Sequence, residues 1–116
     1  MAYSSYEELE VWQRSCQSAV ELYRRLKDCR DFGLKGQMTR AAVSIASNIA
    51  EGAERGSTAD FIRFLHIAKG SAAELRTQIY IASEIGVFSY EKSKQLISDL
   101  KRLSGMLHGL IKSLQT

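Results

Sequence analysis

The chain has 116 residues, which is enough for one ordinary domain and too few for two. Its hydrophobic fraction of 45% and charged fraction of 25% are typical of a globular protein and exclude an intrinsically disordered one. Sixteen Lys and Arg residues against thirteen Asp and Glu give a net charge of +3, which permits contact with nucleic acid but does not by itself indicate it. We therefore expect a single domain over residues 1–116.

Proline is absent, so nothing at the level of sequence interrupts long helices. No apolar run approaches the roughly 20 residues of a membrane span. The segment from Met1 to Ser5 has no basic stretch followed by an apolar one, as a signal peptide would. We expect a cytoplasmic protein with no membrane partner, in which Cys16 and Cys29 are reduced thiols.

The first predicted helix follows Ser5, and Glu8 three residues later is expected to complete a capping box. Its apolar residues recur in steps of three and four, as on one face of a helix. They are Leu9, Trp12, Cys16, Ala19, Tyr23 and Leu26. We expect this face to enter the core, with Cys16 as a small buried side chain rather than a nucleophile.

The second predicted helix runs from about Leu34 to Gly52 and has two adjoining apolar faces. The first face consists of Leu34, Met38, Ala41, Ile45 and Ile49. The second consists of Ala42, Ala46, Ala50 and Ala53. Small side chains allow another helix to approach closely, so we expect this helix to pack on two sides.

The third predicted helix begins after Ser57 and stops at Gly86, and it also has two faces. Its core face consists of Phe61, Phe64, Ala68, Leu75, Ile79 and Ala82. The face away from the core consists of Ile62, His66, Lys69, Ala73 and Tyr80. Exposed apolar residues at helical spacing indicate a further interface, so we expect Ile62, His66 and Tyr80 to be oligomer contacts. Isolated exposed residues of this kind are the simpler alternative.

The fourth predicted helix follows Ser89 and has the strongest apolar pattern in the chain. Its leucine seam, with the spacing of bundle and coiled-coil packing, consists of Leu96, Leu100, Leu103, Leu107, Leu110 and Leu114. Opposite the seam, Lys94, Lys101, His108 and Lys112 lie within about 40° of one another. A solvated surface is the simpler interpretation of these basic residues, and a phosphate-contacting stripe is the alternative.

Four such helices joined by short loops predict an all-α fold, an antiparallel up-down-up-down four-helix bundle. The sequence lacks the patterns of catalytic and metal sites. A di-iron bundle needs Glu three residues before His, but Arg63 and Gly105 stand in those positions before His66 and His108. No paired catalytic groups occur either. We therefore predict no enzyme, no metal and no cofactor.

Two groups of polar residues interrupt the apolar pattern of the second and third helices, where Asn48 and Ser71 fall within or beside the buried stripes. The two groups together consist of Arg40, Ser44, Asn48, Glu51, Arg55, Ser71 and Glu74. We favour one interhelical hydrogen-bond network, because buried polar groups need partners and a polar site can fix helix register. A ligand or partner site is the alternative.

Three segments of the chain resemble a known family. They are residues 6–13 with Val11-Trp12, residues 37–52 with the run Ser-Ile-x-x-Asn-Ile-Ala-Glu-Gly, and residues 61–75, where Ala72 replaces a larger aliphatic residue. The chain resembles the four-helix-bundle proteins encoded in intervening sequences of bacterial 23S rRNA genes, often labelled ribosomal-protein-like. It is more distantly similar to the accessory protein of diversity-generating retroelements.

The resemblance implies a four-helix bundle that forms ring-like homo-oligomers, as pentamers, and it carries no established activity. The retroelement accessory protein works with a reverse transcriptase, which makes nucleic acid a candidate ligand. We therefore predict a non-enzymatic homo-oligomer that binds RNA or DNA. Structured RNA or duplex is the expected form, because the sequence shows no aromatic stacking platform. The alternative is a protein–protein scaffold with no nucleic-acid role.

Overall fold

The computed structural model describes residues 5–116, which form one short 3-10 turn and four α-helices. The turn covers Tyr6–Glu8. The helices are α1 (Glu10–Arg25), α2 (Phe32–Glu54), α3 (Thr58–Glu84) and α4 (Tyr90–Leu114). None of these helices is long and apolar enough to cross a membrane. Residues 1–4, which make up most of the segment expected not to be a signal peptide, lie outside the described part of the chain.

The four helices form an elongated bundle of 43 × 20 × 19 Å. Each helix packs against its neighbours in the chain, and α1 closes the bundle against α4. Helices α2 and α3 are antiparallel, because Ser44 contacts Ser71 whereas Gly52, further along α2, lies against the earlier residue Phe64. The predicted four-helix bundle is confirmed, and residues 5–116 contain no strand.

Polar side chains begin three of the four helices. Asp31, Ser57 and Ser89 each accept a hydrogen bond from the backbone N–H three residues later, at 3.1, 3.1 and 3.2 Å. Each bond satisfies an N–H group that has no partner within its helix. Ser57 and Ser89 begin helices as predicted, whereas the second helix begins slightly before the predicted Leu34, because Asp31 caps it.

The start of α1 differs from the prediction. Ser5 accepts a hydrogen bond from the N–H of Glu7 and begins the 3-10 turn, not α1. Helix α1 starts only at Glu10, and Leu9 at its cap position provides no side-chain hydrogen bond. The predicted capping box therefore does not begin this helix, because a single tight turn intervenes between Ser5 and the α-helical segment.

The buried face of α1 is rotated from the predicted one. Ala19 and Leu26 are buried as predicted. The face also includes Val11, Ser15 and Leu22, whereas Cys16 is only half-buried and Tyr23 is 51% exposed. Ser15 can be buried because its Oγ donates a hydrogen bond to the carbonyl of Val11 at 2.7 Å, within the same helix. A search for apolar residues alone passes over Ser15, so the predicted face was rotated from the buried one.

The apolar core holds the helices together. The leucine seam of α4 lies in this core, with Leu96 through Leu107 buried and Leu110 and Leu114 packed at its edge. By contrast, the four ion pairs among the described residues each join positions three or four apart within one helix. Exposed pairs of this kind contribute at most about 1 kcal/mol each, so they do not determine how the helices associate.

Helices α2 and α3 approach each other very closely at Gly52. A Cβ atom on this residue would lie 2.5 Å from Cβ of Phe64 and 3.2 Å from Cδ1 of Phe61. Both distances are shorter than ordinary van der Waals contact. The glycine is therefore required by packing, since its φ angle is not positive.

Candidate nucleic-acid interface

A groove of about 470 Å³ lies between α3 and α4, close to the loop that connects them. Tyr80 and Glu84 line it from α3. Tyr90, Lys94 and Lys101 line it from α4, together with the buried Ile97. Two residues of the predicted basic stripe therefore lie beside two tyrosines, and we call this cavity the α3/α4 groove.

The two tyrosines present much of their surface to solvent. Tyr80 is 50% exposed and Tyr90 is 76% exposed. Among the described residues the aromatic rings in contact are those of Tyr6 and Trp12, which meet edge to face, so neither tyrosine of the groove packs on another ring. Sequence reasoning considered Tyr80 only as an oligomer contact and passed over Tyr90, and its expectation that the chain has no stacking platform stays a prediction.

The basic stripe continues along α4 beyond the groove. Lys94, Lys101, His108 and Lys112 are all exposed, as the sequence predicted for a surface opposite the leucine seam. Tyr90 falls within the same 40° sector, since it lies one turn before Lys94. At 1.5 Å per residue, the stripe from Tyr90 to Lys112 is about 33 Å long. Within residues 5–116, its three lysines form no ion pair.

The outer stripe of α3 borders the same groove. Tyr80 lies in the groove beside Lys101, so the flank of α3 that carries Tyr80 faces the α4 side. His66 on this flank is exposed. Ile62 is half-buried and packs against the core, so the expectation that it faces away from the core is wrong. The role of Ile62, His66 and Tyr80 as oligomer contacts stays a prediction.

The two flanks together concentrate positive charge. The α3 flank carries Lys69 and, one turn before Tyr80, Arg76, both half-buried. The Nε atom of Arg76 is shielded from solvent and has no hydrogen-bond partner among the described residues. With the three lysines of α4, the flanks hold five Lys and Arg residues in all. Among the described residues, Glu84 is the only acidic residue that lines the groove, and it lies at the loop end.

The polar residues between α2 and α3 make a compact hydrogen-bonded group. Oγ of Ser44 and Oγ of Ser71 are 2.9 Å apart across the two helices. Nδ2 of Asn48 donates to Oγ of Ser44 at 2.9 Å and to its backbone oxygen at 2.8 Å. All three residues are half-buried. Their polar atoms therefore satisfy one another at the helix interface.

The remaining members of the predicted network lie apart from this group. Arg55 forms an ion pair with Glu51 at 3.1 Å, and its guanidinium also lies 4.9 Å from the ring centre of Phe64. Arg40 and Glu74 line a small pocket of about 220 Å³ beside Ser44. In the described part of the chain neither of them forms an ion pair. The predicted residues therefore form separate groups rather than one network.

The geometry offers little to covalent or metal chemistry. Cys16 is half-buried, and this burial raises the pKa of its thiol. A raised pKa keeps the thiol protonated, whereas a catalytic nucleophile needs the thiolate. Among residues 5–116, no three His, Cys, Asp or Glu side chains are grouped so that they could hold a metal ion.

The fold and the groove together define a class: a four-helix-bundle protein with a basic surface that carries exposed tyrosines. The chain belongs to the 23S rRNA-intervening sequence protein family, whose family model matches residues 7–109. The family resemblance found in the sequence is thereby confirmed. The matched region includes all of α1, α2 and α3 and most of α4.

A solved structure supports the same assignment. The chain is similar to a protein of unknown function from the S23 ribosomal protein family of Bacteroides thetaiotaomicron, with a TM-score of 0.82 and 27% sequence identity. The similarity covers 88% of this chain and 98% of that protein. No curated protein matches the chain. The family description and the solved relative name no catalytic activity.

Proposed function

We propose that this chain is a non-enzymatic nucleic-acid-binding protein that contacts phosphates through the basic stripe of α4. The observation that carries the proposal is the arrangement of Lys94, Lys101 and Lys112 on one exposed flank, free of ion pairs with other described residues. Unpaired surface lysines along a helix are suited to neutralise successive phosphates. The family's association with rRNA intervening sequences favours RNA as the ligand.

The distribution of charge matters more here than its total. A net charge of +3 is small for a nucleic-acid-binding protein. Two lysines line the groove, and three further basic residues lie elsewhere along the same flanks of α3 and α4. Together they create a local field that attracts a polyanion. Repetition of the stripe in each subunit of a homo-oligomer would raise the effective concentration of binding sites further. Affinity should therefore fall steeply with salt, since each neutralised phosphate releases counterions.

The first prediction is tested by paired charge reversals on α4. The variant Lys94→Glu with Lys101→Glu should reduce binding of a structured RNA by about tenfold or more at low salt, because at least two phosphate contacts become repulsive. The matched control is Lys92→Glu with Arg102→Glu, which reverses two exposed charges on other flanks of the same helix. Filter binding across a salt series provides the measurement.

The two variants carry the same net charge, so only the position of the charge differs. A selective loss in the stripe variant supports the proposal. Equal losses in both variants would attribute binding to overall charge. If the unaltered protein retains neither RNA nor DNA at low salt, the proposal is wrong and the scaffold function replaces it.

We also infer that the chain forms a homo-oligomer, in accord with the ring-like pentamers that the family resemblance implies. The support is a set of exposed apolar side chains on α1 and at the start and middle of α2. Val20 and Tyr23 of α1 are 49% and 51% exposed, and Phe32 and Val43 of α2 are 72% and 43% exposed. Contact with a second copy of this chain would remove these side chains from water, which is favourable in proportion to the apolar area buried.

Sedimentation equilibrium at micromolar concentration tests this inference. The unaltered protein should have a mass several times the monomer mass of 13.0 kDa. Phe32→Ser combined with Val43→Ser should shift the distribution toward the monomer, whereas Ile67→Ser, an exposed apolar residue on α3, should not. A monomeric unaltered protein contradicts the inference. An oligomer that binds no nucleic acid would favour a protein–protein scaffold.

A further inference from the structure

We propose that the α3/α4 groove binds unpaired nucleotides, with a base stacked on Tyr80 or Tyr90 and the adjoining phosphates on Lys94 and Lys101. This inference rests on the proposed nucleic-acid function and specifies its ligand as a single-stranded segment. It replaces the structured or duplex ligand that the sequence favoured. The juxtaposition of two exposed tyrosines and two lysines in one groove is the observation that carries it.

The tyrosines supply the surface that a base requires. Each aromatic ring offers an apolar face, and stacking on such a face does not depend on which base is present. Tyr80 and Tyr90 lie on opposite walls of the groove, and neither is stacked on another aromatic ring within residues 5–116. A duplex keeps its bases stacked on each other, so it cannot use these rings without being opened.

The size and the lining of the groove also fit a base better than a duplex backbone. Its volume of about 470 Å³ lies within the range of pockets that hold small organic ligands. Ile97 is 9% exposed and contributes an apolar floor between the two walls. An apolar floor between aromatic walls favours a flat, weakly hydrated group over a phosphate, which would lose its hydration there.

The lysines continue the binding surface along the strand. Lys94 and Lys101 are seven residues apart, so their backbones are separated by about 10 Å along α4. They can therefore contact different phosphates of one strand. His108 and Lys112 extend the same sector away from the loop, so a bound strand would run along α4.

Glu84 is the residue that opposes a phosphate in this groove. Its carboxylate lies at the loop end, beyond Tyr80 on α3. A carboxylate repels phosphate but accepts hydrogen bonds from the exocyclic amino groups of bases. The charge distribution therefore favours a base near Glu84 and phosphates near the two lysines, which is the orientation proposed above.

The experiment compares single and double strands on tyrosine variants. The probes are a fluorescein-labelled unstructured strand of about 12 nucleotides, within the site sizes of single-strand binders, prepared as RNA and as DNA, and a duplex of equal length. Tyr80→Ala with Tyr90→Ala should weaken binding of the single strand by about tenfold or more, as measured by fluorescence anisotropy. Tyr80→Phe with Tyr90→Phe should retain it, because stacking requires the ring and not the hydroxyl.

Each possible result separates this inference from the proposed function. Preferential binding of the single strand, lost in the alanine variant and kept in the phenylalanine variant, supports the inference. Equal binding of both probes with no effect of the alanine variant overturns it, while Lys94→Glu with Lys101→Glu still tests the phosphate contacts. Failure of every probe to bind at low salt overturns both.

Two measurements test whether the variant Tyr80→Ala with Tyr90→Ala keeps the fold and the oligomeric mass of the unaltered protein. Both tyrosines are exposed, so its thermal unfolding monitored by circular dichroism should match that of the unaltered protein. Sedimentation equilibrium should also give an unchanged mass. A lower mass would identify Tyr80 as an oligomer contact and would overturn the assignment of the groove to nucleotides.

Discussion

Helix α3 packs closely against α2 on one flank and borders an open groove with α4 on the other. The difference shows how side-chain size determines the spacing of adjacent helices. On the flank toward α2, Gly52 admits the ring of Phe64, and Ser44 and Ser71 form a hydrogen bond across the interface. On the flank toward α4, the long side chains of Tyr80 and Lys101 line a groove. One helix therefore contributes to a close-packed interface and to an open surface at once.

The two flanks of α3 should respond differently to substitution, one through stability and the other through binding. Small and mutually bonded side chains on the α2 side bring the two helices into close contact, so changes there should alter stability. The exposed tyrosines and lysines of the groove form no ion pairs within residues 5–116. Changes among them should alter binding and leave stability nearly unchanged.

The largest change in stability is expected when a single methyl group is added at the interface between α2 and α3. Gly52→Ala places a Cβ atom 2.5 Å from Cβ of Phe64, so α2 and α3 must move apart. Overpacking of this kind should lower the free energy of unfolding by about 1–3 kcal/mol. Denaturant unfolding followed by circular dichroism gives the measurement.

Gly105→Ala is the matched control, on the exposed surface of α4. A Cβ atom there meets nothing within 4 Å. This change should raise the free energy of unfolding by about 0.5–1 kcal/mol, because alanine has less backbone entropy to lose in a helix than glycine. If the two variants were equally stable, the close approach at Gly52 would not determine the association of α2 with α3.

A smaller effect is expected from the hydrogen-bonded group at the same interface. Asn48→Ala removes two hydrogen bonds to Ser44, but Ser44 keeps its contact with Ser71. We therefore expect a loss of about 1 kcal/mol in the free energy of unfolding. Ser47→Ala, at an exposed neighbouring position, should change it by less than about 0.5 kcal/mol.

The midpoint of urea unfolding distinguishes these outcomes. An Asn48→Ala protein with the stability of the unaltered chain would remove the structural role of the amide. Asn48 would then become a candidate for a ligand or partner site beside the small pocket that Arg40 and Glu74 line.

The periodicity of the sequence was sufficient for most of the fold. The leucine seam of α4, the apolar faces of α2 and α3, and the serines that begin α3 and α4 are all properties of local spacing and local capping. A buried stripe at helical spacing must face other helices. A serine begins a helix when its side chain accepts a hydrogen bond from the backbone N–H three residues later. Neither inference needs knowledge of the rest of the chain.

Periodicity was less reliable in α1, because two overlapping stripes compete there. The stripe through Trp12, Cys16 and Tyr23 contains larger apolar residues, whereas the buried one runs through Val11, Ser15 and Leu22. Ser15 becomes compatible with burial only through its bond to the Val11 carbonyl. Which face enters the core depends on how α2 and α4 approach, and the sequence of α1 alone does not contain that information.

The candidate site divides in the same way. The sequence by itself determined that Lys94, Lys101, His108 and Lys112 lie along one exposed sector of α4, since helical geometry fixes the angle between residues of one helix. Only the tertiary structure decided that this sector meets Tyr80 across a groove and that Tyr90 belongs to the same surface. Residues on different helices become neighbours through the packing of the core, and the distance between α3 and α4 depends on side chains that neither helix specifies alone.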